Sequence, residues 1–207
     1  MLNFRNFRFA IIDIDGTLIE SREFYRRALK KILDLNSNSL LRRFCLAVLQ
    51  EEYCPKSVLL LCKKLNSFIY EIFEKFEKSP GLFKGAREFL EKLSENQVKM
   101  FVSTAGSDSL RTEEKLEKLG ILNFFEKVSG RELSKEEDIN LFAEYLGIKR
   151  SEFCQKAFLI GDGIEDMLLA RRLGIYGIGI TNTFNAELLM EFGAKKVVTN
   201  FEELAEL

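Results

Sequence analysis

The chain has 207 residues, with 31 basic and 32 acidic side chains, a net charge of −1 and no histidine. The lack of histidine excludes Ser-His-Asp and Cys-His hydrolases, His-ligated zinc sites and haem with a proximal histidine. Any acid–base catalysis must therefore use carboxylates, lysine, tyrosine or cysteine. The balanced charge also disfavours nucleic-acid binding through a broad basic face.

Composition predicts a folded protein that does not enter a membrane. Apolar residues make up 46% of the chain, which is enough for a buried core. The sequence has no apolar run of about 18 residues, which a membrane span needs, and no signal-peptide pattern at its N-terminus. None of the four cysteines forms a CxxC pair, so we expect reduced thiols and a cytoplasmic location.

The first part of the chain predicts one strand followed by a helical region. Residues 7–14 are mostly apolar and are closed by Asp15-Gly16, which is typical of a buried strand that ends in a turn. From about residue 21 to residue 78, apolar residues recur only with helical spacing. Ser21 is a candidate N-cap for the first of three predicted helices, and Pro55 begins the third.

After Pro80-Gly81 the predicted helices and strands alternate. The later strands are predicted at 98–103, 127–129, 156–161, 175–180 and 195–198. This alternation indicates a three-layer, Rossmann-like α/β core with a parallel sheet. The helical region interrupts the alternation after the first strand, so we interpret it as an insertion. The predicted domains are an α/β core, 1–19 with 80–207, and a small all-helical cap, 20–79.

Acidic, hydroxyl and amine side chains follow the ends of these predicted strands. They are Asp13, Asp15, Ser103, Thr104, Lys135, Asp162 and Asp166. Ligands of open parallel sheets bind at the carboxyl ends of the strands, and clustered carboxylates need a compensating positive charge. Mg²⁺ prefers oxygen ligands and commonly shares its ligand shell with phosphate. The pattern therefore predicts a magnesium and phosphate site, in which a carboxylate nucleophile needs no histidine.

Four motifs in this order resemble those of the haloacid dehalogenase superfamily, specifically its Mg²⁺-dependent phosphatases with a helical cap. The motifs are DIDGTL from Asp13, the strand MFVST ending at Thr104, the lysine Lys135, and GDGIED ending at Asp166. Pro80-Gly81 and the helix after it also look like the phosphoglycolate-phosphatase-like branch. The resemblance implies a phosphomonoesterase for a small anionic phosphomonoester, with phosphoglycolate as the first candidate.

The same resemblance implies roles for individual residues. Asp13 is expected to be the nucleophile, and Asp15 the general acid–base that protonates the leaving alcohol and then activates water. Ser103 is expected to bind the phosphate, with Thr104 as the alternative hydroxyl. Lys135 is expected to neutralise charge on the nucleophile and on the phosphoryl oxygens.

The implied magnesium ligands are the Asp13 carboxylate, the Asp15 backbone carbonyl and the Asp162 carboxylate, with Asp166 supporting them directly or through water. The remaining candidates for substrate binding are Thr17, Thr104, Ala105, Arg22 and Arg26. The two arginines belong to the predicted cap, which has twelve basic and eight acidic side chains. This local excess of positive charge is expected to attract an anionic substrate.

Two alternative functions share this chemistry. A β-phosphoglucomutase-like phosphomutase has the same catalytic residues, but that branch uses a cap histidine, which this chain lacks. A phosphate-accepting signalling domain, from a different class, also combines an acid cluster with Mg²⁺ and a lysine, but it has no inserted cap. The phosphatase is therefore the leading prediction.

Overall fold

The computed structural model describes residues 4–21 and 80–205. The chain divides into two compact units, Met1–Ile19 with Gly81–Leu207 and Glu20–Pro80. The predicted helical cap, with Arg22 and Arg26, falls almost entirely outside the described residues and stays a prediction. Among the helices that are described, none combines the length and the apolar character needed to cross a membrane.

The first unit is built on one parallel sheet. Its strands are β1 Phe9–Ile12, β2 Lys99–Ser103, β3 Phe125–Ser129, β4 Ala157–Gly161, β5 Tyr176–Ile180 and β6 Lys196–Val198. They pair in the order β3-β2-β1-β4-β5-β6, and every pair is parallel. The chain therefore builds outwards through β2 and β3 on one side of β1, and through β4, β5 and β6 on the other. This reversal beside β1 makes the crevice at which open α/β sheets bind ligands.

Helices follow the strands and cover both faces of the sheet. Numbered within the described residues, they are α1 Ala86–Glu95, α2 Ser109–Lys118, α3 Lys135–Tyr145, α4 Arg150–Lys156, α5 Ile164–Leu173, α6 Ala186–Phe192 and α7 Phe201–Ala205. Short 3₁₀ turns occupy Phe4–Asn6 and Leu122–Phe124.

The central strand β1 is buried along its whole length. Ala10 and Ile12 pack into an apolar cluster with residues of α1 and α7, whereas Phe9 and Ile11 pack into a second cluster with residues of α3 and α4. Successive side chains of a strand point to opposite faces, so each face of β1 contributes to one cluster. Helices on both faces explain why the strand reads as a continuous apolar run rather than as an alternating one.

The predicted α/β fold class is confirmed, and the predicted strands all occur. Their bounds differ by one or two residues, since β1 is shorter than the apolar run at 7–14 and β3 begins two residues before the predicted 127. Helices α4 and α7 were not predicted. They are seven and five residues long, which is too short for a helical repeat to stand out in the sequence.

Candidate active site

The predicted site residues of the described chain lie at one edge of the sheet. Asp13 directly follows β1, Ser103 ends β2, and Asp162 directly follows β4. Because β2, β1 and β4 are adjacent and parallel, their carboxyl ends open onto the same crevice.

A tight turn after β1 carries the first motif. The carbonyl of Ile14 accepts hydrogen bonds from the N–H groups of Thr17, Leu18 and Ile19 at 3.0 to 3.2 Å. Gly16 has a φ of 84°, in the left-handed region that glycine adopts without strain, and a Cβ at this position would overlap the Asp162 carboxylate. Glycine is therefore required here both by the backbone conformation and by the close approach of the β4 loop.

Asp13, Asp162 and Asp166 form a buried group that we call the acid cluster. One carboxylate oxygen from each lies within 4.8 Å of the others. Asp162 and Asp166 come from the end of β4 and the first turn of α5, so the short GDGIED segment supplies two of the three acids. Three carboxylates at this spacing repel one another unless positive charge lies close to them.

Lys135 supplies positive charge directly to the acid cluster. Its Nζ donates hydrogen bonds to Asp13 Oδ1 at 2.7 Å and to Asp166 Oδ1 at 2.6 Å. Burial opposes the charged form of Lys135, but the two carboxylates outweigh that effect and raise its pKa above the ordinary range. The lysine is the first residue of α3, whose start is set by a capping box between Ser134 and Glu137.

Two threonine hydroxyls contact three further carboxylate oxygens of the acid cluster, on Asp13 and Asp162. Thr17 Oγ1 lies 3.1 Å from Asp13 Oδ2 and 3.0 Å from Asp162 Oδ1, and it accepts the Asp162 N–H at 3.1 Å. Thr183, in the loop after β5, donates to Asp162 Oδ2. In this structure the Thr17 hydroxyl connects two acids, and its predicted role in substrate binding stays a prediction.

Burial keeps two of the acids easier to protonate than ordinary aspartates. It raises the pKa of Asp13 to about 7, with Lys135 opposing the rise and the neighbouring acids adding to it. It raises the pKa of Asp162 to about 6, although the hydrogen bonds from Thr183 and Thr17 oppose the rise. The protein therefore holds negative charge in this cluster at a free-energy cost, and a bound cation would relieve that cost.

The donors in the acid cluster fit a hard divalent cation. Three carboxylates and one lysine leave an excess of negative charge, and every available ligand atom is oxygen, which suits Mg²⁺ better than a thiolate-binding or imidazole-binding metal. Asp13, Asp162 and Asp166 are the residues that can hold the ion. The role predicted for the Asp15 carbonyl stays a prediction.

Ser103, the preferred phosphate-binding hydroxyl, is engaged elsewhere. Its Oγ donates to Asp138 Oδ2 at 2.5 Å, and Ser129 Oγ donates to Asp138 Oδ1 at 2.5 Å. Asp138 is fully buried on α3, three residues after Lys135, and burial raises its pKa despite both hydroxyls. The two serines thus attach the start of α3 to the ends of β2 and β3.

The alternative hydroxyl, Thr104, lies in the loop that borders Asp15. Thr104 Oγ1 accepts a hydrogen bond of 3.2 Å from the N–H of Gly106. A Cβ on Gly106 would be 3.6 Å from Thr104 Oγ1 and would overlap the Asp15 carboxylate. Ala105 lies between Thr104 and Gly106, so both predicted residues belong to the loop whose Gly106 approaches the candidate acid–base.

A comparison with protein-family models identifies the family. A model described as haloacid dehalogenase-like hydrolase matches residues 10–180. The chain belongs to this family. The sequence-based prediction of the superfamily is confirmed, and so is the prediction that the protein is an enzyme. No curated protein matches the chain.

Several solved structures share the fold. A predicted phosphatase from Clostridium acetobutylicum matches with a TM-score of 0.71 and 22% identity, covering 97% of both chains. A predicted phosphoglycolate phosphatase from Haemophilus somnus matches with a TM-score of 0.70 and 18% identity, covering 97% of both chains. A protein provisionally assigned as a β-phosphoglucomutase from Thermotoga maritima matches with a TM-score of 0.68 and 19% identity, covering 97% of this chain and 99% of that one. At these identities the similarity shows the fold alone.

Several residues of the site were not predicted from the sequence. Thr183 follows a strand end, as do the predicted residues, so the rule that selected them would also have selected it. Lys115 donates a hydrogen bond of 2.8 Å to Asp15 Oδ1 from the buried side of α2, and the available signal was a lysine among the buried positions of that helix. Asp138 gave no such signal, because acidic residues are common in the first turn of a helix.

The pKa values of the acid cluster predict how stability depends on pH. Aspartates that ionise near pH 4 when unfolded bind protons more tightly in the folded protein, where the pKa of Asp13 is about 7 and that of Asp162 about 6. Their contribution to stability is fully present below about pH 4 and is lost as the pH rises through 6 and 7. We expect the melting temperature of the protein in EDTA to fall between about pH 5 and pH 8.

The Asp13→Asn variant is the matched control, because its side chain has nearly the same shape and does not titrate. Its melting temperature should fall less over the same pH range. The corresponding loss in the free energy of unfolding should be smaller than that of the wild type by an amount on the order of a few kcal/mol. Thermal melting of both proteins in parallel measures this. Equal slopes for the two proteins would contradict the assignment of a raised pKa to Asp13.

Proposed function

We propose that the protein is a Mg²⁺-dependent phosphomonoesterase that hydrolyses a small phosphorylated metabolite through an aspartyl-phosphate intermediate. The observation that carries this proposal is the arrangement of Asp13. Its carboxylate lies in a buried acid cluster that suits a divalent cation, and it accepts a hydrogen bond of 2.7 Å from Lys135. Catalysis of phosphoryl transfer relies on positioning and charge neutralisation, and both are present around this side chain.

In the proposed first step, an Asp13 carboxylate oxygen attacks phosphorus and the P–O ester bond breaks. Asp15 gives its proton to the departing alkoxide, so the alcohol leaves neutral. Lys135 stays hydrogen-bonded near the reacting carboxylate and offsets the charge of the phosphoryl oxygens. Mg²⁺, held by Asp13, Asp162 and Asp166, would supply further neutralisation of that charge.

In the second step, Asp15 takes a proton from a water molecule that attacks the phosphorus of the aspartyl-phosphate. Inorganic phosphate leaves, and the carboxylate of Asp13 is regenerated. Asp15 thus acts first as an acid and then as a base, in a site where the chain offers no histidine for either task.

The proposed phosphate-binding hydroxyl is that of Thr104 rather than that of Ser103. Ser103 is hydrogen-bonded to the buried Asp138, whereas the Thr104 loop lies against Asp15. The N–H of Ala105, in the same loop, is a further candidate donor to the phosphate. Both would grip the non-reacting phosphoryl oxygens while Asp13 attacks.

The proposed substrate is a small phosphomonoester, with phosphoglycolate as the first compound to test. The Haemophilus somnus structure, which is a predicted phosphoglycolate phosphatase, supports this choice. We further propose a cytoplasmic location and a substrate-selecting helical cap at 20–79, where Arg22 and Arg26 attract the anion.

The nucleophile assignment predicts that Asp13→Asn abolishes turnover. An amide cannot form the aspartyl-phosphate, so kcat should fall by at least about a thousandfold, an amount that the loss of covalent catalysis readily exceeds. Release of inorganic phosphate from a panel of phosphomonoesters measures it, and EDTA should also stop release until Mg²⁺ is restored. Glu117→Gln, which changes an exposed carboxylate on α2, is the control and should keep wild-type activity. Substantial phosphate release by Asp13→Asn would rule out the mechanism.

The choice of Thr104 over Ser103 predicts two different phenotypes. Thr104→Val removes a hydroxyl without changing the shape and should lower kcat/KM by about ten- to a hundredfold, as expected for a lost hydrogen bond to a charged group. Ser103→Ala should chiefly lower stability, by about 1–3 kcal/mol, because Asp138 loses a partner. Steady-state kinetics and urea unfolding of both variants test this. The opposite pattern would assign the phosphate to Ser103.

A further inference from the structure

Lys115 is a buried lysine that has no part in the mechanism proposed above. Its side chain is only 8% exposed, whereas its helix neighbours Glu114 and Glu117 are exposed. Its Nζ donates a hydrogen bond of 2.8 Å to Asp15 Oδ1, across 100 residues of sequence. Lysine is almost never buried without a charged partner, and one charged partner of Lys115 is the proposed acid–base.

The other oxygen of Asp15 is constrained as well. Asp15 Oδ2 lies against Gly106, so closely that a Cβ on this glycine would overlap it. Both carboxylate oxygens of Asp15 therefore contact the segment from the end of β2 through α2, Oδ1 through Lys115 and Oδ2 through Gly106. Two contacts on one carboxylate leave little freedom for the side chain to rotate.

The proposed nucleophile and the proposed acid–base thus contact different lysines. Lys135 contacts Asp13 and Asp166, and Lys115 contacts Asp15. A general acid acts only within hydrogen-bond reach of the leaving oxygen, and a misplacement of about 1 Å can cost about a hundredfold in rate. The orientation of Asp15 is therefore as important for the chemistry as its acidity.

We infer that Lys115 is a positioning residue that holds the Asp15 side chain in the orientation needed to protonate the leaving alcohol, as a carboxylic acid, and then to activate water, as a carboxylate. This inference rests on the proposed phosphatase function. Lys115 acts through Asp15 and does not itself contact the substrate.

The inference is tested with two substrates that differ in their need for an acid. An alkoxide leaves only if it is protonated, whereas p-nitrophenolate is a stable anion that leaves without help. We therefore expect kcat/KM for β-glycerol phosphate to depend on Asp15, and kcat/KM for p-nitrophenyl phosphate to depend on it much less. A merely structural role of Lys115 would affect both substrates to the same extent.

The variant is Lys115→Met, which keeps the length of the side chain and removes the amine. We expect kcat/KM for β-glycerol phosphate to fall by at least about tenfold, and kcat/KM for p-nitrophenyl phosphate to fall by less than about threefold. Asp15→Asn should show the same selective loss, and Lys115→Arg, which keeps a charged donor, should recover part of it. Lys149→Met removes an exposed lysine that is not among the proposed site residues and should behave as wild type.

A second signature comes from the hydrolysis of the intermediate. With p-nitrophenyl phosphate, Lys115→Met should release a burst of p-nitrophenol, because a misplaced Asp15 slows the attack of water on the aspartyl-phosphate. If Lys115→Met does not fold, as judged by its melting curve, Lys115→Gln provides the same comparison with a shorter, uncharged donor.

An equal loss for both substrates, or no loss for either, would overturn the role of Lys115. Asp13→Asn serves as the blank in every assay. If Asp13→Asn keeps the activity of the wild type, that result would instead overturn the proposed function, and the role of Lys115 with it. The two failures are therefore distinguishable.

Discussion

The structure depends on one electrostatic constraint, which is the burial of three carboxylates around a single lysine. Asp13, Asp162 and Asp166 lie within reach of one cation, and Lys135 bridges two of them. Burial alone would drive these groups towards the neutral form, and it does raise the pKa of Asp13 to about 7. A site that buries this much negative charge is prepared to bind positive charge, and such a site suits phosphoryl transfer.

The fold satisfies this constraint by placing each contributing residue at a structurally rigid point. Asp13 and Asp162 follow adjacent parallel strands in the middle of the sheet, and Lys135 begins a helix whose start is fixed by a capping box. Asp138 then attaches that helix to β2 and β3 through two serine hydroxyls. Lys135, which brings positive charge to the active site, is therefore kept in position by the buried Asp138 of the same helix.

Much of this arrangement could be predicted from the sequence, because strand ends and motif spacing are local signals. The alternation of helices and strands was sufficient for the fold class, and Asp13, Asp162, Asp166 and Lys135 come together as expected. The hydrogen-bond partners of individual side chains could not be predicted, since Ser103 and Thr104 are adjacent and chemically similar and differ in the structure only in the groups they contact. Lys115 was missed for a related reason, because its contact with Asp15 spans 100 residues and no motif records it.

If Asp13 is the nucleophile, its carboxylate carries a phosphoryl group during turnover, and peptide mass spectrometry can detect that group. Protein mixed with Mg²⁺ and a good phosphomonoester substrate is quenched in acid during turnover, digested and analysed, with Asp15→Asn included to slow loss of the intermediate. We expect a phosphoryl group on the Asp13 carboxylate that disappears after treatment with base and is absent from Asp13→Asn. Turnover at full rate with no phosphoryl group on this peptide, or with one on another residue, would contradict the account.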